Sequence, residues 1–186
     1  MPRSGTTVLS EAIAAHEDLG WISNYVNRLP MLPWLALFDR MADNSLTGGL
    51  LRGKKKQDLN LWSFFRKFLP HPDEALKFWQ RFCGDKFLWD YLVNQSALPV
   101  EKDSLVKALH NILVLQGKKR LFTKLTGPPR IHYLSTIFPD AGFIHLLRDP
   151  RAVVSSLLRV NFWRFHGGLK KPWWKNGLPG EYLAEW

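Results

Sequence analysis

The sequence predicts an α/β chain with a short parallel sheet, flanking helices and a large helical insertion. A Gly-containing loop at the N-terminus leads into a helical pattern, and the C-terminal third alternates strand-type and helix-type segments. Between them, from about residue 30 to residue 117, the pattern is helical. The alternation implies parallel strands with right-handed crossovers. With 186 residues, 46% of them apolar, we expect a single domain over residues 1–186.

The first element is the loop Pro2–Thr7, which precedes an apolar helical pattern. A helix N-terminus presents unpaired N–H groups and positive potential, so this loop predicts an anion site. A nucleotide-hydrolysing P-loop needs Gly-Lys followed by Ser or Thr, whereas here Thr6 follows Gly5 and the fixed charge is Arg3. The loop therefore suits a phosphate-like group without a metal. The alternative is an ordinary helix cap by Ser4 or Thr6.

The insertion is expected to contain four helices punctuated by prolines. They are predicted at Met31–Met41, Leu59–Leu69, Asp73–Phe82 and from Asp103 or Ser104 to Gly117. The basic run Arg52–Lys56 between them is either a solvated loop or a surface that attracts an anion. Tryptophans in helical patterns are predicted to be core: Trp62, Trp79 and Trp89. For those in the C-terminal tail the alternative to a core position is that they stack on a sugar or cover a cleft: Trp163, Trp173 and Trp174.

The C-terminal third predicts two strands and two helices. They are the strand Leu121–Lys124, the helix Arg130–Phe138, the strand Gly142–Leu147 and a helix that begins at Pro150.

Arg148 and Ser156 form a second candidate phosphate site. Arg148 ends the predicted strand, and Ser156 lies about two turns into the following helix, so both can reach one ligand at the carboxyl edge of the sheet. The alternative is that Arg148 pairs with Asp149 or Asp140 and that Ser156 only fills a helix face.

Together the two segments resemble the sulfotransferases that use 3′-phosphoadenosine 5′-phosphosulfate (PAPS). The resemblance implies a P-loop-like fold in which Pro2–Thr7 hold the 5′-phosphosulfate and Arg148 and Ser156 hold the 3′-phosphate. The segment Phe138–His145 is similar to the bacterial and protein-tyrosine branches. The resemblance further implies that Arg3 is the cation that stabilises the transition state and that no metal is needed. It implies as acceptor a hydroxyl of a small molecule, glycan or lipid, or an amine.

The chain departs from the family pattern at both ends. Family members have a strand before the loop, which here follows Met1 directly, and they continue beyond the position of Trp186. We therefore expect a fragment with little or no activity.

The general base is not fixed by the sequence. Lys124-Leu125-Thr126-Gly127 lacks the His of the cytosolic branch, and Asn24 stands where the tyrosine-modifying branch has Glu. The candidates that are left are Glu11, Glu17, Glu74 and His71.

Composition narrows the function classes. A net charge of +10 favours polyanionic partners, and the nucleotide, with or without an acidic acceptor, accounts for it as well as nucleic acid does. The single Cys83 excludes an internal disulfide framework and a cysteine zinc site. No targeting or membrane-spanning segment is visible, so we expect a cytoplasmic protein. The alternatives are a Mg²⁺-dependent P-loop phosphotransferase, such as a nucleotide or sugar kinase, and a non-enzymatic basic fragment that binds nucleic acid.

Overall fold

The computed structural model describes residues 5–40 and 69–159. The chain forms two compact units: a first unit of Met1–Thr6, Trp79–Leu105 and Leu125–Trp186, and a second unit of Thr7–Phe78 and Val106–Lys124. The single domain expected above stays a prediction. The predictions that lie outside the described residues concern Pro2, Arg3, Ser4, Arg52–Lys56, nearly all of Leu59–Leu69, Trp62, Trp163, Trp173 and Trp174.

The described helices and strands are short. In chain order they are α1 (Thr6–Ile13), β1 (Leu19–Gly20), α2 (Asn24–Arg28), a 3-10 helix (Pro33–Asp39), α3 (Leu76–Cys83), α4 (Lys86–Trp89), α5 (Pro99–Gln116), β2 (Arg120–Leu121), α6 (Ile131–Ile137) and α7 (Pro150–Leu158). The predicted helices that correspond to α3, α5, α6 and α7 are confirmed with shifted bounds. The predicted helix Met31–Met41 contains a 3-10 helix instead.

A two-stranded parallel sheet lies in the second unit. Leu19 of β1 pairs with Arg120 of β2, and Gly20 pairs with Leu121. The predicted short parallel sheet is therefore confirmed at this coarse level, although β2 is shorter than the predicted strand. A P-loop-like arrangement stays a prediction.

Gln116 extends the hydrogen bonding of this sheet beyond β1. Its side chain accepts from the Trp21 amide at 3.1 Å and donates to the Trp21 carbonyl at 2.7 Å, as a neighbouring strand would. It also donates to Asp39 Oδ2 at 2.6 Å. A Cβ at Gly20 would lie 2.5 Å from Gln116 Oε1, so only glycine allows this approach.

Helix α5 begins earlier than predicted. Pro99 is its first residue, so the predicted cap at Asp103 or Ser104 is wrong. Proline is favoured at the first helical position because the N–H it lacks has no partner there. The Glu101 carboxylate then accepts from the Leu98 amide at 3.0 Å and caps the helix. Gly117, at φ +70°, ends it as predicted.

The first unit has an aromatic core. Trp79 stacks on Phe87 with ring centroids 4.9 Å apart, and Tyr133 meets Phe87 edge-on at 6.0 Å. Arg130 is buried and lies over the Phe87 ring at 4.8 Å. Its guanidinium donates to four carbonyl groups, those of Phe87, Leu88, Thr126 and Pro128. These hydrogen bonds compensate the burial of the charge.

Burial confirms one tryptophan prediction in this unit and contradicts another. Trp79 is buried in the core as predicted, whereas Trp89 is 46% exposed. Trp89 is the last residue of the four-residue helix α4, and the chain turns extended at Asp90, so no second layer covers the indole. Cys83 is buried, and burial raises the pKa of its thiol to about 11.

Residues 142–147 do not form the predicted strand. They have no regular secondary structure, and Ile144 and Leu147 are 72% and 78% exposed. A strand needs a neighbour that accepts its backbone hydrogen bonds, and within residues 5–40 and 69–159 no strand pairs with this segment. Helix α7 nevertheless begins at Pro150 as predicted.

Candidate active site

The phosphate-loop prediction concerns a sharp entry into helix α1. Gly5 has φ +93°, a left-handed conformation that side chains strongly disfavour, and α1 begins at the next residue, Thr6. No atom lies within 4 Å of a Cβ placed at Gly5, so the glycine is required by the backbone conformation and not by crowding. The first amide groups of α1 have no partner within the helix, so this turn can bind an anion.

Lys124 brings a cation to this helix. Its Nζ lies 3.4 Å from the hydroxyl of Thr7, to which it donates, and 2.8 Å from Glu74 Oε1. Lys124 follows β2 after two extended residues, so the carboxyl end of the sheet positions it. In the sequence, Lys124 stands out only as part of the segment that lacks the His of the cytosolic branch. A lysine just beyond a parallel strand was the signal that could have revealed it.

A pocket in the second unit adjoins Lys124 and Thr7. The volume available in it to the centres of water-sized molecules is ≈ 50 Å³. Its walls come from α1, from the end of β1, from the segment before α3 and from the segment after β2. The lining residues are Thr7, Ser10, Glu11, Trp21, Pro72, Asp73, Phe122, Thr123 and Lys124.

Asn24 has a structural role. It is buried, its carbonyl accepts from the His71 amide at 3.1 Å, and its amide donates to the Leu69 carbonyl at 3.4 Å. An amide cannot take a proton at neutral pH, and this one links α2 to the segment before α3. The hydrogen bonds of Asn24 thus give a structural role to a residue for which the family resemblance implied none.

Only one of the four candidate bases lines the pocket. This residue is Glu11, on the same face of α1 as Thr7. Glu74 is the ion-pair partner of Lys124, and His71 is exposed with Nδ1 3.1 Å from the Leu69 carbonyl. Glu17 is also exposed and lies outside the pocket lining.

Arg148 and Ser156 lie in the first unit, as do Gly5 and Thr6. Arg148 is exposed and Ser156 is half-buried on α7. The carboxylate of Asp149 caps α7 and pairs with Arg151, accepting from its amide at 2.8 Å and its Nη2 at 2.9 Å. These hydrogen bonds hold the pKa of Asp149 below its usual range. A common ligand for Arg148 and Ser156 stays a prediction.

A family model described as the sulfotransferase family matches residues 1–175 of the chain. The chain belongs to the sulfotransferase family. The predicted resemblance is thereby confirmed, and it covers the loop, the pocket and α7. No curated protein and no solved structure matches the chain.

Membership of this family indicates which chemical groups an active site needs. A sulfotransferase moves an anionic sulfuryl group, and negative charge that develops during transfer is stabilised by fixed cations and N–H donors. The entry of α1 and Lys124 provide both. Among residues 5–40 and 69–159, no three His, Cys, Asp or Glu side chains are grouped to hold a metal ion. None of the described helices is long and apolar enough to cross a membrane.

Proposed function

We propose that this sulfotransferase transfers the sulfuryl group of PAPS to a hydroxyl, or an amine, of an acceptor. The observation on which the proposal rests is the entry of α1, where a left-handed Gly5 precedes the helix and Lys124 donates to Thr7, the second residue of the helix. Backbone donors and a cation meeting at one helix end suit a phosphosulfate. The cytoplasmic location expected from the sequence stays a prediction.

The roles of the loop residues follow from their chemistry. Backbone N–H groups of the loop bind the phosphosulfate, and Arg3 stabilises the charge that develops on the bridging oxygen. Lys124 adds a second cation, for which the sequence alone predicted no role. The proposed loop ligands of the nucleotide are Pro2, Arg3, Ser4, Gly5, Thr6 and Thr7.

Arg148 and Ser156 are proposed to bind the 3′-phosphate. An exposed guanidinium before a helix and a hydroxyl two turns into it supply charge-assisted hydrogen bonds to one phosphate.

Calorimetric titration tests the donor. The full chain is titrated with adenosine 3′,5′-bisphosphate and with ATP, each with and without Mg²⁺. We expect metal-independent binding with preference for the bisphosphate. Preference for ATP with Mg²⁺ would instead favour a phosphotransferase, and binding of neither nucleotide would contradict the proposal.

The Arg148→Ala variant tests the 3′-phosphate site. A hydrogen bond to a charged group contributes about 1.5–3 kcal/mol, so bisphosphate affinity should fall roughly ten- to a hundredfold. Affinity for adenosine 5′-phosphate, which lacks the 3′-phosphate, should hardly change. Arg151→Ala is the matched control, since Arg151 is also exposed and forms an ion pair with Asp149. Equal losses for both nucleotides would show that Arg148 is structural.

A further inference from the structure

We propose that the pocket of the second unit binds the acceptor, that Glu11 accepts the proton of the acceptor hydroxyl, and that the acceptor is a neutral or cationic alcohol. The inference rests on the proposed function, because it names the acceptor side of the same reaction. Four features of the pocket support this role: the position of Glu11, the contacts of the neighbouring acids, a buried hydroxyl and the charge of the lining.

Glu11 lies one helical turn beyond Thr7. Four residues of α-helix rise about 6 Å, and residues four apart share a face. Both residues line the pocket, and Thr7 is the last residue of the loop proposed to bind the phosphosulfate. An acceptor oxygen between them can therefore face the sulfuryl group and the carboxylate at once. Glu11 is exposed, so water can remove the proton after each turnover.

The neighbouring acids have structural tasks. Asp73 also lines the pocket, but its Oδ2 accepts from Asn27 Nδ2 at 2.7 Å and its Oδ1 accepts from the Glu74 amide at 2.8 Å. These bonds engage both carboxylate oxygens of Asp73. Glu74 is the partner of Lys124 at 2.8 Å, and protonating it would break that ion pair. Glu11 is favoured by its position in the pocket wall, one helical turn beyond Thr7.

Thr123 provides an independent indication of a ligand. Its Oγ1 is buried, lies in the pocket wall and has no hydrogen-bond partner within the described part of the chain. Buried hydroxyl groups nearly always have a partner, so this one calls for an explanation. A polar group of a bound acceptor would supply the missing bond. The adjoining Trp21 and Phe122 offer apolar walls to the carbon skeleton.

The size and charge of the pocket define the acceptor class. A volume of ≈ 50 Å³ for water-sized centres admits the reacting end of an alcohol, such as a hydroxymethyl group, while the remainder stays outside. The lining has two carboxylates, Glu11 and Asp73, and one ammonium, Lys124, which is paired with Glu74. The two carboxylates would repel an anionic group on the acceptor, although the whole chain has a net charge of +10.

The chemical step balances without a metal or a redox partner. The acceptor oxygen forms a bond to sulfur as its proton passes to a Glu11 carboxylate oxygen. The bond between sulfur and the bridging phosphate oxygen breaks, and its electron pair stays on the phosphate. The products are a sulfate ester and adenosine 3′,5′-bisphosphate, and Glu11 returns its proton to water.

The test compares Glu11→Gln with Glu17→Gln in the full chain. Glu17 is a matched control because it is an exposed glutamate outside the pocket lining. General-base catalysis contributes on the order of a hundredfold or more, so Glu11→Gln should lower kcat at least that much. Bisphosphate affinity and the thermal midpoint should stay close to those of the unchanged chain, and Glu11→Asp should recover part of the rate. A wild-type rate in Glu11→Gln would overturn the role of Glu11.

Three matched acceptors test the class: para-methylbenzyl, para-(aminomethyl)benzyl and para-carboxybenzyl alcohol. They share the reacting hydroxymethyl group and differ in charge. We expect the neutral and cationic alcohols to exceed the anionic one at least tenfold in kcat/KM, and Thr123→Val to raise KM more than it lowers kcat. A preference for the carboxylate would overturn the acceptor class.

Binding measurements separate this inference from the proposed function. Saturation-transfer NMR with the bisphosphate present reports acceptor binding even without turnover. If the bisphosphate binds and the neutral and cationic alcohols do not, the acceptor pocket is wrong while the donor assignment stands. If the bisphosphate itself does not bind, the proposed function fails first.

Discussion

Two lysine–glutamate pairs, one in each unit, have nearly the same geometry. Lys86 lies 2.7 Å from Glu101 in the first unit, and Lys124 lies 2.8 Å from Glu74 in the second. Their side chains are 17% to 29% exposed. By length and burial the pairs are almost equivalent, so these two measures do not distinguish their roles.

The surroundings of the two pairs differ. Glu101 also accepts from the Leu98 amide at 3.0 Å and the Tyr133 hydroxyl at 2.9 Å, and Lys86 lies over the Tyr133 ring at 5.3 Å. This network joins α4, α5 and α6 in the core. Lys124 instead lines a pocket beside the entry of α1. The other contacts of an ion pair therefore distinguish its role better than its length does. A pair within a core network stabilises the fold, whereas a pair in a pocket wall is positioned to contact a ligand.

The largest expected difference between the pairs is in catalysis. Lys124→Met removes a cation beside the proposed phosphosulfate site, and loss of one such donor costs about a hundred- to a thousandfold in kcat. Lys86→Met should leave kcat per folded molecule within about twofold, because Lys86 is part of the core network of the first unit. Initial rates of labelled sulfate transfer measure both, and equal losses in the two variants would contradict the comparison.

The sequence predicted helix entry points better than strand pairing. Local rules sufficed for α1 after Gly5 and for α7 at Pro150, since each depends on a few adjacent residues. The segment Gly142–Leu147 failed because an apolar run becomes a strand only beside another strand, and that partner is a property of the whole fold. The prediction of the start of α5 failed because the preference of proline for the first helical position was not applied to Pro99.

The candidate site was predicted only where motifs are continuous in sequence. The loop that ends at Thr7 is one such motif, whereas the approach of Lys124 to Thr7 joins residues more than a hundred positions apart. The pairing of β1 with β2 brings them together, and the position of Lys124 at the end of a predicted strand was the local signal for it. Glu11 also depends on the fold, since the pocket distinguishes it from three other candidates that sequence alone could not separate.

For stability we expect the opposite order: contacts of the pair in the first unit should contribute more to the free energy of unfolding than contacts of the pair beside the pocket. Tyr133→Phe deletes a buried hydroxyl that donates to the Glu101 carboxylate, which should lower the free energy of unfolding by about 1.5–3 kcal/mol. Thr7→Val, which removes the hydroxyl near Lys124, should cost less than about 1 kcal/mol because Thr7 is exposed. Urea unfolding measures both, and a larger loss in Thr7→Val would mean that the pocket pair also stabilises the fold.

The smallest effect is the pH dependence of the core pair. Burial alone would raise the pKa of Glu101, but hydrogen bonds from Lys86, the Leu98 amide and Tyr133 outweigh it and hold the pKa below its ordinary value of 4.5. The unfolded chain therefore binds a proton at higher pH than the folded chain. The stabilising contribution is complete above the unfolded pKa and is lost as the pH falls through the folded one.

Glu101→Gln should accordingly flatten the fall in unfolding free energy between about pH 6 and about pH 3. The matched control is Asp18→Asn. The pKa of Asp18 is also lowered, chiefly by a hydrogen bond from Lys119, but this pair is exposed and solvent screens it. Urea unfolding across that range should therefore show a smaller change of slope for Asp18→Asn than for Glu101→Gln. A larger change for Asp18→Asn would show that the acid sensitivity arises at the surface and not in the network of the first unit.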